Sequence, residues 1–175
     1  METTTEYTTK STLALGIDPG LGNTGYAFIL KNATSYKYIE SGLILTPPNW
    51  SEAKRLLHIS DELQELLKYR SPTAFCVEGV YFQKNRKTAM STAKVIGICL
   101  SIAKQHHIQD INEARPQDIK AAITGNPRAK KKDMIRIAPQ IVGLKHGKIK
   151  THHEADAIGA AVVAHMLRIP KGINS

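Results

Sequence analysis

Three β-like segments crowd into the first 45 residues, and the spacers between them, 19–23 and 31–35, are too short for anything but chain reversal. Parallel neighbours need a crossover of a dozen or more residues. Segments Thr12–Asp18, 24–30 and Tyr36–Leu45 are therefore predicted to form an antiparallel meander. "TPPNW" at 46–50 breaks it. From there the pattern alternates. Ala53, Leu56, Leu57, Leu63, Leu66 and Leu67 recur at three- and four-residue spacing, predicting a helix over 51–69. A buried strand follows at 73–82, "TAFCVEGVYF", then a helix at 88–106 and a short strand at 108–114. Helices are expected at 116–123, with Pro at the start, and at 134–142, and an Ala-rich one over His152–Leu167. Strands separated by helices imply crossover units, so the predicted fold is α/β with a mixed five-stranded sheet flanked by helices.

Within this frame, carboxylates occupy odd places. Asp18 ends the first apolar strand in "LALGIDPG", Glu78 sits near the end of the fourth in "FCVEGV", and Asp156 lies in the first turns of the last helix in "HHEADAIGAA". Desolvating a charge costs several kcal/mol unless it finds a partner. Carboxylates at neighbouring strand ends can converge, and a helix packed on that edge can add another. Gathered at neutral pH they repel, and a bound divalent cation is the simplest remedy. Hard oxygen ligands favour magnesium, with manganese able to substitute. Two such ions about 4 Å apart can clamp both oxygens of a phosphodiester displacement. His153 and Asp156 share a helix face, so His153 could ligate the second ion or act as a general base. Glu154, about 100° further round, is the weaker candidate.

The chain as a whole is nonetheless basic, with a formal net charge of +9. Such a balance points to a polyanion, nucleic acid ahead of an anionic membrane. Arg128, Lys130, Lys131, Lys132, Arg136, Lys145, Lys148 and Lys150 cluster around two expected loops, 124–133 and 143–151, with Asp133 as the only opposing charge. "QKNRK" at 83–87 adds Lys84, Arg86 and Lys87 just beyond Glu78. Lysines act as flexible point charges on phosphates. Cys76 and Cys99 are the only cysteines and lack the close pairing of a zinc site, so a reducing, cytoplasmic setting is expected. No stretch approaches 18 unbroken apolar residues, so no membrane span is expected. Residues 1–12 read as a polar, flexible arm ahead of a single domain over 13–170.

Taken in order, "GIDPGLGNTGYAF", "VEGVYF" and "HHEADAIGAA" resemble the motifs of the RuvC family of Holliday junction resolvases, over residues 13–168. The resemblance implies a ribonuclease-H-like fold, a homodimer and a metal-dependent endonuclease that nicks four-way junctions symmetrically during DNA recombination and repair. By it, Asp18, Glu78 and Asp156 match the family's catalytic carboxylates. His153 falls where many members carry a further Asp and some carry His. Asp18 would bridge two ions, Glu78 and Asp156 would hold one each, and His153 would complete the second. Tyr81 falls where the family places an aromatic residue that stacks on a junction base, and Lys120 and Lys131 match lysines that contact DNA near the scissile phosphate. A branch-migration helicase is the implied supplier of junctions.

Other readings remain open at this point. "GIDPGLGNTGYA" also resembles the phosphate hairpin of actin- and sugar-kinase-like proteins, although the chain is short for two lobes and lacks a second Gly-rich loop. A non-catalytic junction-binding protein and a nuclease of RNA hybrids are further alternatives.

Overall fold

The computed structural model describes residues 11–80, 86–145 and 147–167. Five strands form one sheet in the order β3-β2-β1-β4-β5. The meander is β1 (Thr12–Asp18), β2 (Asn23–Lys31) and β3 (Tyr36–Leu45), antiparallel throughout. Helix α1 (Glu52–Lys68) leads to β4 (Ala74–Glu78), which pairs parallel to β1. Helix α2 (Arg86–Gln105) leads to β5 (Asp110–Ala114), parallel to β4. Helices α3 (Pro116–Thr124), α4 (Lys131–Ile141) and α5 (His152–Leu167) complete the chain in sequence order. The expected mixed sheet with flanking helices is what forms.

Side chains alternate across the strands, and each face buries its own core. Leu15, Ile17, Phe28, Phe75 and Val77 point to one side, where α1 and α2 cover them with Ile59, Leu63, Val95 and Cys99. Ala14, Ala27, Ala74 and Cys76 point to the other, against α5. That second face is built of small residues, and it lets α5 lie almost on the backbone. A Cβ on Gly16 would come within 2.1 Å of the Ala157 carbonyl oxygen and 2.2 Å of the Ala161 nitrogen. Ile119, Ile123, Met134 and Ala138 from α3 and α4 pack in the same core with α5. Ala155 and the run from Ala157 to His165 are buried, so α5 is a central helix with no solvent-facing stripe in that stretch.

Several boundaries differ from the sequence reading. Helix α4 starts at Lys131, three residues before the expected Met134, so Lys131, Lys132 and Asp133 form its first turn rather than a loop. The Asp133 carboxylate accepts from the Lys130 backbone N–H at 3.0 Å and caps that turn. Strand β5 begins at Asp110, not 108, because His107 takes φ 58° and closes α2 in a left-handed turn. The Tyr38 N–H on the edge strand donates to the Val142 carbonyl at the end of α4, covering part of that edge.

Candidate active site

Strand register brings the first two carboxylates together. Ile17 on β1 lies opposite Val77 on the parallel strand β4, so the next residues, Asp18 and Glu78, end adjacent strands. Such strands run about 4.8 Å apart. Both residues fall on the same alternation as Ala14, Gly16, Ala74 and Cys76, which face α5. The turn after Asp18 is pinned from outside, with Thr46 Oγ1 donating to the Leu21 carbonyl and Arg55 Nε donating to Thr46 at 2.7 Å.

Helix α5 supplies the rest. Gly25, the β2 partner of Asp18, has no side chain to hold the helix off, and a Cβ there would meet the His153 carbonyl oxygen at 2.3 Å. His153 Nδ1–H donates to Asp18 Oδ2 at 2.6 Å, and that bond raises the imidazole pKa above its usual value. Asp156, one turn along, is half-buried on the same side.

Asp18, Glu78, His153 and Asp156 line one cleft of about 370 Å³ with Lys120 from α3 and Lys131 from α4. The electrostatics show how tightly the acids are confined. Burial, reinforced by the charges of Asp18 and Asp156, pushes the Glu78 carboxyl up to about 8, with Lys120 pulling the other way. Burial and the Asp18 charge push Asp156 up to about 7, opposed by Lys120, His153 and Lys131. Carboxyls this reluctant to ionise are poised for a cation that would hold all of them charged.

Among the described residues, no three His, Cys, Asp or Glu side chains are already closed into an ion-holding cluster. The donors ring the cleft, and one Asp18 oxygen is engaged by His153. Three carboxylates and an imidazole still make a donor set suited to a hard divalent ion, and such an ion would offset the burial and the neighbouring negative charge that act on Glu78 and Asp156.

The remaining expected residues divide. Lys120 and Lys131 are in the cleft. Lys132 is not, and lines a separate recess with Asp133, Ile135 and Arg136. Lys130 precedes α4 outside the cleft lining. Arg86 and Lys87 stand exposed at the start of α2, where Lys87 acts on Glu52. Tyr81 and Lys84 lie outside the described residues. The structure adds His152, whose ring lies 4.0 Å from that of His153 and whose Nε2 accepts from Lys131 Nζ at 3.0 Å. Burial, then the His153 and Lys131 charges, lower its pKa. Thr88 and Thr92 from α2 also line the cleft. Glu154 points elsewhere, bonded to Ser41 and Thr151. The "THHE" at 151–154, a Thr three residues before a Glu ahead of an apolar run, is the signal that could have found this cap.

Residues 14–165 match the family model described as Crossover junction endodeoxyribonuclease RuvC. A crossover junction endodeoxyribonuclease RuvC of Treponema denticola is 37% identical over 148 residues, covering 85% of this chain and 82% of that protein. One from Brachyspira hyodysenteriae is 36% identical over 156 residues, covering 89% and 94%. In structure the chain is similar to T. thermophilus RuvC in complex with Holliday junction substrate, at TM-score 0.79 and 25% identity over 89% of this chain and 93% of that one. The yeast mitochondrial Holliday junction resolvase shares the fold at TM-score 0.57 and 14% identity, covering 85% and 77%. No helix among the described residues is long and apolar enough to cross a membrane.

Proposed function

The chain belongs to the RuvC family of crossover junction endodeoxyribonucleases, a family of divalent-metal-dependent nucleases, and from that premise we propose that it resolves four-way DNA junctions by paired, symmetric phosphodiester hydrolysis at the Asp18 cleft. The observation that carries the reading is the confinement of Asp18, Glu78 and Asp156 beside Lys120 and Lys131 in one cleft. Acids that strain against ionisation and cations aimed at the same space suit metal-assisted chemistry on a phosphate better than a passive binding role.

Asp18, Glu78, His153 and Asp156 would hold two magnesium ions, or manganese in their place. When bound, the ions supply charge for the developing oxyanions and acidify the attacking water. The chain's own residues do the rest. Lys120 and Lys131 hold the phosphate and balance its charge. With Nδ1–H donated to Asp18, His153 would offer Nε2, when unprotonated, as a ligand or as an acceptor for a proton. His152 holds the Lys131 ammonium at the cleft rim.

Lys84, Arg86, Lys87, Lys130 and Lys132 are assigned to the junction arms, and Tyr81, by the family resemblance, to stacking on an unpaired base near the branch, worth about 1–3 kcal/mol. Two opposed nicks require two copies of the site, which a two-fold homodimer provides. A branch-migration helicase is the partner class that would supply junctions, in the cytoplasm. The test is a synthetic four-way junction incubated with magnesium. Paired nicks at symmetric positions, abolished in Asp18→Asn, are expected. Full cleavage by that variant would end the assignment.

A further inference from the structure

Helix α5 carries both His153 and Asp156, and the His153–Asp18 bond is one restraint on its first turn. That turn is also held by a different group of residues. Thr151 caps the helix: the Glu154 N–H donates to Thr151 Oγ1 at 3.2 Å, and the Thr151 hydroxyl donates to Glu154 Oε2 at 2.9 Å. The second Glu154 oxygen accepts from the Ser41 hydroxyl at 3.1 Å, on edge strand β3. Ser41 is in turn braced by Tyr38, whose hydroxyl oxygen accepts from the Ser41 N–H at 2.9 Å and lies 3.3 Å from Ser41 Oγ. One carboxylate thus ties the start of α5 to the sheet.

The geometry gives this tie a consequence at the cleft. Adjacent helical residues are about 100° apart, so anchoring Glu154 toward β3 sets the direction in which His153 leaves the helix. Ser41 pairs with Ala27 on β2, two residues from Gly25, on which the His153 main chain rests. The anchor therefore lies one pleat away from the seat of His153. First turns are where helices fray, and here fraying would swing His153 away from Asp18.

We propose that Glu154, clamped between Ser41 and Thr151, is a positioning residue that holds His153 against Asp18 for catalysis. The proposal rests on the reading of the Asp18 cleft as the active site. It assigns Glu154 no contact with metal or DNA.

The test measures single-turnover cleavage of a synthetic four-way junction, junction Kd, and the downfield proton resonance of the His153 Nδ1–H in the metal-free protein. Glu154→Ala is expected to slow cleavage on the order of tenfold, since small misplacements of reacting groups have effects of that size or larger. Kd should stay within about twofold, and the downfield resonance should be lost. Glu154→Gln, which can still bond Ser41 and Thr151, should restore both rate and resonance. Ser41→Ala, which leaves the cap intact, is the milder variant should Glu154→Ala fold poorly, and it should slow cleavage in the same direction. Unchanged cleavage with the resonance retained in both Ala variants, or a loss carried by Kd alone, would overturn the clamp. Asp18→Asn separates the two levels. If it cuts normally, the active-site reading has failed. If it is inactive while Glu154→Ala is normal, only the clamp has.

Discussion

The carbonyl of His153 rests directly on Gly25: the nearest approach of a Cβ at that glycine would be 2.3 Å, far inside van der Waals contact. Since Gly25 is also the cross-strand partner of Asp18, one missing side chain governs both how closely the first turn of α5 approaches the sheet and how near His153 comes to Asp18.

Gly25→Ala should therefore separate activity from stability. It lifts only the first turn of α5, whereas Gly16→Ala collides with backbone at Ala157 and Ala161 in mid-helix. We expect Gly16→Ala to destabilise by about 1–3 kcal/mol or more, read by urea unfolding. Gly25→Ala should lose junction cleavage out of proportion to its loss of stability. Equal proportions in the two variants would show that α5 moves as a rigid whole.

The strained carboxyls predict an inverted pH response of the metal-free protein. Glu78 titrates at about 8 and Asp156 at about 7 when folded, both above their unfolded values of about 4.3 and 3.9. Between those limits the folded state binds more protons than the unfolded state. Stability is then largest toward the acid side and falls as pH rises through 7 to 8. The raised His153 pKa acts in the same direction. Thermal unfolding in EDTA should give a higher Tm at pH 6 than at pH 8.5. Glu78→Gln should raise Tm at both pH values, and by several degrees more at pH 8.5, because the cost of the buried carboxyl grows as pH rises from its unfolded to its folded pKa.

Divalent ions should reverse that trend. Ligands must be deprotonated to bind, so the Tm gain from added magnesium should be larger at pH 8.5 than at pH 6, and should shrink in Glu78→Gln and Asp156→Asn. A gain independent of pH and of both substitutions would place the ion elsewhere on the protein.

The cleft lysines and the outer lysines should differ in kind. Lys120→Ala removes the cation that pulls the Glu78 pKa down, so its cleavage profile should shift toward alkaline pH as well as fall in rate. Lys132→Ala, from a separate recess, should leave the single-turnover rate at saturating enzyme intact. If its side chain contacts a phosphate, the salt dependence of junction binding should lose about one unit of slope.

Much of this was legible in the chain because a few patterns were strong. The short spacers forced the meander, and β1, β3 and α5 run over the predicted residues. The positions of Asp18 and Glu78 on one face follow from simple alternation. The start of α4 was hidden because Lys130 precedes it without a conventional cap, and the capping carboxylate of Asp133 comes three residues later. The contact between His152 and Lys131 spans 21 residues and two elements, which no local period reports. Gly16 and Gly25 drew no assignment from the sequence, because their purpose appears only once α5 is laid across them.

Helix α5 is enclosed by the sheet on one side and by α3 and α4 on the other, and it brings His153 to Asp18 across 135 positions of chain. A ribosome therefore finishes the sheet, and most of the basic surface, well before the cutting centre can exist. A chain stopped short of α5 would leave that face of the sheet bare and the centre without His153 and Asp156, so one terminal segment both closes the core and arms the nuclease.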